Sequence, residues 1–357
     1  MGEHTDYNAG LCLPIALPHR TYAAVRLRGD RHLRLRSLQS REEYELNLDE
    51  VAAGNPPGWG AYAAGVLWAF EHAGLQVRGV DVMVDGRVPL GAGLSSSAAL
   101  ECAVAAAVSD LLGLALLADD AARARLATIC ADSENAIALA PTGGMDQSAS
   151  LRCRDGHALL LDCRDWSVEQ VPFDLSSHDL SLLVMNTHTK HALVDGQYAE
   201  RRLSCEQAAR QLGLPSLREV AFDHLHEALD LLSDRQIRAR AKHIVTEIER
   251  VRQTVALLRT GRVPDVGSLL NASHASMRDE FEISCPELDV AVDTAVANGA
   301  LGARMTGGGF GGSAIALTPT DMTAEVTSAV IQAFADKGFG APDLFTVTAG
   351  GPARREL

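Results

Sequence analysis

Aromatic side chains are scarce in this chain: Phe, Trp and Tyr make up 4% of its 357 residues, so we expect a mainly aliphatic core. Basic side chains are also outnumbered, with 32 Lys and Arg against 46 Asp and Glu and a formal net charge of −14. Proteins that bind nucleic acid need a basic face to neutralise phosphates, so this charge balance argues against that class. Any anionic ligand would have to be held by a local site.

The sequence also lacks a disulfide framework. Its seven Cys are odd in number and form no Cys-x-x-Cys pair, which favours reduced thiols and argues against a zinc site. No apolar run reaches the roughly 18 residues of a membrane span. The N-terminus, Met-Gly-Glu-His-Thr-Asp, has neither the basic region nor the apolar stretch of a signal peptide. We therefore expect a soluble cytoplasmic protein with no membrane partner.

The pattern of strands and helices is mixed, without strict β-α-β alternation, which favours the α+β class. Strands are predicted at 9–17, 21–27, 80–88, 157–163, 181–187, 301–306, 313–318 and 344–349. Helices are predicted at 61–72, 95–112, 119–139, 196–212, 234–259, 264–280, 285–298 and 321–337. The length predicts two domains, and we place their boundary near residue 175, which gives domains 1–175 and 176–357.

A dense polar segment opens the chain. Residues 2–10 read Gly-Glu-His-Thr-Asp-Tyr-Asn-Ala-Gly and hold two carboxylates, an imidazole and an amide. Such a segment can present several acceptors to a polyol, because each carboxylate accepts hydroxyl hydrogen bonds and charge-assisted bonds are the stronger kind. On composition alone, a solvated N-terminal turn is an equally good interpretation.

A glycine turn leads into a helix at residues 89–100, Pro-Leu-Gly-Ala-Gly-Leu-Ser-Ser-Ser-Ala-Ala-Leu. Glycines let the backbone wrap around an anion, and the Ser run opens a helix whose free N–H groups face the same point. Serine hydroxyls can also bind Mg²⁺, which prefers oxygen. No Lys follows the glycines, so this is not the common nucleotide-binding loop GxxxxGK[ST]. The alternative is an ordinary Ser-capped helix.

A second glycine run lies at residues 305–313, Met-Thr-Gly-Gly-Gly-Phe-Gly-Gly-Ser. Five glycines within six residues carry a high entropic cost on folding, so the run needs a reason. The usual reason is close approach to a ligand or to another backbone. The alternative is a flexible turn between two strands.

Together, in this order, the three segments resemble the three signature motifs of the GHMP kinase superfamily, and Gly-Glu-His-Thr-Asp-Tyr-Asn resembles the galactokinase signature. The resemblance covers residues 2 to about 318. It implies a two-domain fold whose N-terminal domain is ribosomal protein S5 domain 2-like and whose C-terminal domain is ferredoxin-like. It further implies transfer of the γ-phosphoryl group of ATP to the C1 hydroxyl of galactose, with Mg²⁺ as cofactor, in a monomer.

The resemblance assigns roles to residues that match the family's motifs. Asp146, in Gly-Met-Asp-Gln, would be the catalytic base, although by itself it reads as a turn or N-cap aspartate. The residues implied to bind the sugar are Glu3, His4, Asp6, Gly144 and Tyr198. Those implied to bind ATP are Gly91, Ala92, Gly93, Leu94, Ser95, Ser96, Ser97 and Ala98. Those implied to bind Mg²⁺ are Ser96 and Glu134, and for Glu134 only its spacing, twelve residues before the base, recommends it.

Other functions fit the same motifs. A GHMP kinase for N-acetylgalactosamine or arabinose differs from a galactokinase only in pocket shape. A non-catalytic sensor of galactose and ATP is the alternative outside enzymes, but the intact Ser95-Ser96-Ser97 run speaks against it.

The sequence departs from the family at its start. Relatives carry Ala-Pro-Gly-Arg-Val-Asn-Leu-Ile before Gly-Glu-His, whereas Met1 stands here in the place of that Ile. Either the true start lies upstream or the chain is truncated. We expect the chain as written to be less active and less stable, because the strand and its Arg are missing, and an Arg beside a transferred phosphate can contribute orders of magnitude in rate.

Overall fold

The computed structural model describes residues 1–89, 91–190 and 194–356. Strands occupy about a fifth of these residues. In chain order they are β1 (Leu11–Cys12), β2 (Thr21–Leu27), β3 (His32–Ser37), β4 (Tyr44–Asn47), β5 (Val80–Gly86), β6 (His157–Asp162), β7 (Ser167–Pro172), β8 (Leu180–Lys190), β9 (Gly302–Thr306), β10 (Gly311–Pro319) and β11 (Asp343–Val347).

Helices make up the larger share of regular structure in the same ranges. They are α1 (Trp59–His72), α2 (Ser96–Leu111), α3 (Asp120–Ser133), α4 (Met145–Arg152), α5 (Val194–Gln211), α6 (Leu225–Asp230), α7 (Arg235–Arg259), α8 (Val266–Asp279), α9 (Pro286–Ala297) and α10 (Thr323–Lys337). A π-helical stretch, Glu134–Ala138, continues α3. The α+β class is therefore confirmed. Within the described chain, no helix is long and apolar enough to span a membrane.

The chain divides into two compact units. The first consists of Met1–Ile15, Leu90–Leu94 and Gly156–Ala349, and the second of Ala16–Pro89, Ser95–Asp155 and Gly350–Leu357. This division differs from the consecutive segments 1–175 and 176–357 that the sequence predicts. The reason lies in β1, which pairs antiparallel with β6 and so joins the first residues of the chain to a unit built mainly from its second half.

The first unit contains a four-stranded antiparallel sheet in the order β11-β8-β10-β9. Helices precede β9 and separate β10 from β11, which gives the β-α-β-β-α-β succession of a ferredoxin-like fold. Helix α9 packs against β9, β10 and α10. The pairing of β10 with β8 shifts register between Gly311 and Ser313, inside the glycine run. A smaller sheet, β1-β6-β7, completes the strands of this unit.

The second unit contains the sheet β2-β5-β3-β4, in which β3 and β5 are parallel and the other neighbours antiparallel. Helix α2 packs against β2, and α1 contacts both α2 and α3. Helix α1 is apolar nearly all round, as expected of a helix in a core. Its residues Ala63, Val66 and Leu67 are fully buried. These layers hold the start of α2 and the segment around Glu134 in fixed positions within the unit.

Candidate active site

The polar N-terminal segment is a buried turn in the first unit. The Thr5 hydroxyl oxygen lies 2.7 Å from the carbonyl oxygens of both Gly2 and Leu11. The Asn8 side-chain amide donates to the carbonyl of His4 at 2.9 Å. Glu3, His4 and Thr5 are all buried. The interpretation of this segment as a solvated turn is therefore wrong, because the backbone is held by its own side chains.

Glu3 is part of a buried charge network. Its carboxylate forms an ion pair with Arg304 on β9 and accepts a hydrogen bond from the Thr306 hydroxyl at 3.1 Å. Arg304 is completely buried and also lies 3.5 Å from a carboxylate oxygen of Glu247 on α7. Burial raises the pKa of Glu3, but the charge and hydrogen bond of Arg304, together with the nearby N-terminal ammonium, outweigh burial and hold this pKa below its ordinary value. Glu3 is therefore an ionised carboxylate fixed in one orientation.

His4 is a neutral imidazole with a defined tautomer. Burial lowers its pKa to about 4, so the ring carries one proton at neutral pH. Nε2 lies 3.1 Å from the carbonyl oxygen of Gly308, which can only accept, so the proton is on Nε2. Nδ1 then accepts from the Tyr7 hydroxyl at 2.7 Å. Burial also keeps the pKa of Tyr7 well above 10.0, so this hydroxyl retains its proton.

Aromatic rings close around this imidazole. Tyr198 on α5 lies 4.9 Å from His4 and 5.8 Å from Tyr7, measured between ring centroids. Phe281 lies 5.0 Å from His4 on the same measure. Of the five residues that the resemblance assigns to the sugar, Glu3, His4, Asp6 and Tyr198 lie in the first unit, and Gly144 lies in the second. Asp6 opens the short 3₁₀ turn that carries Tyr7. Both His4 ring nitrogens already have protein partners.

The glycine run packs against the backbone of the glycine turn at residues 91–94. A Cβ atom on Gly307 would lie 2.8 Å from the carbonyl oxygen of Gly93, and one on Gly309 would lie 2.5 Å from that of Ile283. Both glycines have positive φ values, 82° and 86°. The hydroxyl of Ser313 donates to the carbonyl of Ala92 at 2.6 Å. The run is therefore a close backbone contact, and its interpretation as a flexible turn is wrong.

The predicted ATP-binding residues divide between the units. Gly91, Ala92, Gly93 and Leu94 belong to the first, and Ser95, Ser96, Ser97 and Ala98 to the second; Leu90, within the motif, lies outside the described residues. Ser95 has a left-handed backbone, with φ 57°, and α2 begins immediately after it. No side chain caps this helix start within the described structure, so its first N–H groups stay available to an anion.

A pair of buried carboxyl groups lies behind the start of α2. Glu134, in the π-helical stretch, accepts a hydrogen bond from the Gln147 side-chain amide at 2.5 Å, and the same nitrogen lies 3.0 Å from a carboxylate oxygen of Glu101. The Ser97 hydroxyl also hydrogen-bonds to Glu134, whereas Ser96 begins the helix. Burial raises the pKa of Glu134 to about 7 and that of Glu101 well above 4.5. Neither forms an ion pair among the described residues.

Asp146 lies in the first turn of α4, a helix that the sequence did not predict. Gly144, with φ 90°, stands at the N-cap position, so Asp146 is neither a turn residue nor the cap. The positive end of the helix dipole favours its ionised form. Its charge also contributes to the raised pKa of Glu134, which places the two carboxyl groups in one electrostatic neighbourhood.

Several residues of this arrangement were missed by sequence reasoning. Tyr7, Glu101, Gln147 and Arg304 all lie within or beside the recognised motifs. The partners of Glu101, Gln147 and Arg304 are distant in sequence, whereas Tyr7 contacts His4 three residues away in the same segment. The only available signal was an ionisable residue, Glu101, in the apolar stretch of a predicted helix.

Comparisons with known proteins agree with the motifs. Residues 61–154 match the family described as GHMP kinases N terminal domain, and residues 254–337 match GHMP kinases C terminal. Residues 1–27 match the galactokinase galactose-binding signature. The predicted GHMP kinase fold is therefore confirmed.

Individual relatives are similar over nearly the whole chain. A galactokinase of Streptomyces coelicolor is 49% identical over 357 residues, which cover 99% of this chain and 91% of that protein. Human galactokinase is 41% identical over 325 residues, covering 89% of this chain and 80% of its own. The crystal structure of Lactococcus lactis galactokinase complexed with galactose superposes with a TM-score of 0.92 at 32% identity, covering 99% of this chain and 91% of that one. The chain therefore belongs to the galactokinase family of the GHMP kinases.

Proposed function

We propose that this protein transfers the γ-phosphoryl group of ATP to the C1 hydroxyl of galactose and so catalyses the first committed step of galactose catabolism. The observation that carries the proposal is the match of residues 1–27 to the galactose-binding signature, in a chain similar throughout to a galactokinase whose structure contains galactose. We further propose a cytoplasmic monomer.

In the first unit, the sugar-binding role falls to the segment that begins with Glu3. Charged and polar groups held in one orientation bind hydroxyl groups with little further loss of entropy. Glu3 is fixed by Arg304, and His4 is fixed by Tyr7 and Gly308. Because both His4 ring nitrogens have partners, we propose that His4 contributes through its backbone and ring face. We propose that Asp6 and Tyr198 supply the remaining sugar contacts.

In the second unit, the oxygen atoms around Glu134 fit a hard divalent cation such as Mg²⁺. Glu134 is a buried carboxyl group with a raised pKa and a serine hydroxyl beside it, and the neighbouring Glu101 has one buried oxygen without a hydrogen-bond partner in the described structure. We propose that Glu134 and Ser96 hold Mg²⁺, which when bound would neutralise charge on the ATP phosphates. Residues 91–98 would bind those phosphates through backbone N–H groups.

We propose that Asp146 accepts the proton of the C1 hydroxyl. Phosphoryl transfer needs alignment and charge neutralisation more than covalent chemistry, so a carboxylate base within reach of the hydroxyl is sufficient. We propose that Gly144, at the N-cap of α4, contacts the sugar through its backbone. The positive φ of this glycine lets the chain enter the helix with Asp146 in its first turn.

The test is galactose-dependent release of ADP from ATP by the purified protein, repeated with Asp146→Asn. We expect turnover of galactose by the wild type and a fall in kcat of about 100- to 10,000-fold in the variant, with the folded state retained. Absence of galactose-dependent ADP release would contradict the kinase proposal, and undiminished activity of the variant would contradict only the role of Asp146.

The same assay separates the alternatives. N-acetylgalactosamine and arabinose, tested at equal concentrations, distinguish a galactokinase from a related sugar kinase by the ratio of kcat/KM values. A sensor would bind galactose and ATP in calorimetry but would release no ADP.

A further inference from the structure

One side-chain amide joins two buried carboxyl groups in the second unit. The Gln147 nitrogen lies 2.5 Å from Oε2 of Glu134 and 3.0 Å from Oε2 of Glu101. Gln147 and Glu101 are completely buried, and Glu134 is nearly so. The three residues come from α4, the π-helical stretch and α2, so the amide links three separate elements.

The orientation of this amide follows from its partners. A glutamine nitrogen has two hydrogens, so in this orientation it donates to one oxygen of each carboxyl group. Both hydrogens of Gln147 are therefore used. Its oxygen is buried without a hydrogen-bond partner among the described residues, so the carboxyl groups supply the hydrogen bonds that orient this amide in the described structure.

Among the described residues, Glu101 forms no hydrogen bond or ion pair with the groups to which the reaction is assigned, although it lies within electrostatic range of Glu134 and Asp146. Its polar contact in the described structure is with Gln147, and its other carboxylate oxygen has no hydrogen-bond partner there. A buried ionisable group is costly unless it is paired or hydrogen-bonded, so the bond to Gln147 matters to Glu101. Its replacement by an apolar residue would free one N–H of Gln147 to turn away, which would release the second N–H from Glu134.

We propose that Glu101 is a positioning residue, which fixes the Gln147 amide so that the amide holds the Glu134 carboxylate in the orientation that binds the divalent cation. This inference rests on the proposed function of Glu134 as a cation ligand. Partners that orient a metal ligand in this way commonly contribute about 10- to 100-fold to metal affinity.

The test compares two variants of Glu101 in the full chain. Glu101→Met has a similar length but no strong acceptor, whereas Glu101→Gln keeps a carbonyl oxygen that can accept from Gln147. Val108→Ala, at a completely buried position two turns further along α2, controls for a general loss of stability. Cation affinity is measured as Mn²⁺ binding in the presence of ADP by electron paramagnetic resonance, and turnover as a function of Mg²⁺ concentration.

We expect Glu101→Met to weaken Mn²⁺–ADP binding by about 10-fold and to raise by a similar factor the Mg²⁺ concentration for half-maximal turnover. The KM for galactose should stay unchanged, Glu101→Gln should recover most of the affinity, and Val108→Ala should retain it. Equal Mn²⁺ affinity of wild type and Glu101→Met, or equal loss in Val108→Ala, would overturn the proposal. The Mn²⁺ measurement needs no sugar turnover. Failure of the kinase assay alone would therefore contradict the proposed function, whereas the Mn²⁺ affinities of wild type and Glu101→Met would still test the role of Glu101.

Discussion

Two clusters of buried carboxyl groups, one in each compact unit, have opposite pKa behaviour. In the first unit, Glu3 and Glu247 lie against the completely buried Arg304, and Glu247 also pairs with Arg250 at 2.6 Å. The pKa of each carboxyl is below its ordinary value despite burial. In the second unit, Glu101 and Glu134 share only the neutral amide of Gln147, and burial raises the pKa of both.

The opposite pKa shifts indicate a different role for each cluster. Burial acts in the same direction on all four carboxyl groups, so the presence or absence of a basic partner decides the outcome. The Arg304 cluster is complete within the folded protein and fixes the segment that we propose to bind the sugar. The Glu134 cluster has no basic side chain paired to it in the described structure, which is the condition of a site suited to receive a cation.

The largest expected effect comes from breaking the first cluster. Arg304→Met leaves Glu3 buried without its arginine partner, whereas Glu247 keeps Arg250, and loss of one member of a buried ion pair costs about 3–5 kcal/mol. We expect a loss of this size in the free energy of unfolding at pH 7, measured by urea denaturation. The galactose affinity should fall with it, because Glu3 loses its fixed orientation.

An exposed ion pair provides the control for this loss. Arg26 pairs with Asp81, and the Arg26 side chain is 77% exposed. Arg26→Met should therefore change the free energy of unfolding by only a small fraction of the Arg304→Met effect. Similar losses in both variants would mean that the Arg304 cluster does not depend on burial.

The second prediction concerns the pH dependence of stability, where the other cluster should behave in the opposite way. The pKa of Glu134 rises from the ordinary glutamate value of 4.5, which applies to the unfolded chain, to about 7 in the folded chain, so between these values the folded state binds more protons than the unfolded state. The stabilisation is fully present below pH 4.5 and is lost as pH rises through about 7. Between pH 4.5 and pH 8, the free energy of unfolding of Glu134→Gln should therefore increase by about 3 kcal/mol relative to that of the wild type.

A divalent cation should abolish this difference. With Mg²⁺ and ADP at saturation, the ionised Glu134 gains a partner, so the wild type should recover its stability above pH 7 while Glu134→Gln should not. Val108→Ala, which changes no ionisable group, should lower the wild-type curve without altering its shape. The wild type and Glu134→Gln share the Arg304 cluster, so its contribution cancels when the two are compared. If their free energies of unfolding change with pH in the same way between pH 4.5 and pH 8, the contrast between the clusters is contradicted.

Much of the fold and the motifs could be predicted from the sequence, because those signals are local. Apolar composition located α1, the Ala-rich stretch located α2, and the one-sided distribution of charges located α7, each to within two residues at each end. The galactokinase-like segment is contiguous, so its members could be recognised together, and the structure brings His4 and Tyr198 within 4.9 Å of each other. Their roles toward the sugar stay predictions.

The remainder depends on contacts between distant residues. Strand β3 was missed because arginines occupy the positions between its apolar residues, Leu33 and Leu35. Both leucines are completely buried, and such alternation of apolar and charged residues is a strand signal that could have found it. Helix α4 was missed because its preceding glycines predict a turn. The partners of Glu3 and Glu101 are Arg304 and Gln147, and no local pattern connects such pairs.

The smallest expected effect tests a neutral contact beside the first cluster, the hydrogen bond from Tyr7 to Nδ1 of His4. Tyr7→Phe keeps the ring next to Tyr198 but leaves Nδ1 as a buried acceptor without its donor, which costs about 1–2 kcal/mol. We expect a loss of this size in the free energy of unfolding, with a rise of a few-fold in the KM for galactose and little change in kcat. Because Tyr7 carries no charge, the loss should be the same at pH 6 and pH 8. A loss that exceeds the Arg304→Met effect would reverse the ranking. An unchanged free energy of unfolding and an unchanged KM would mean that the bond to Gly308 alone holds the imidazole.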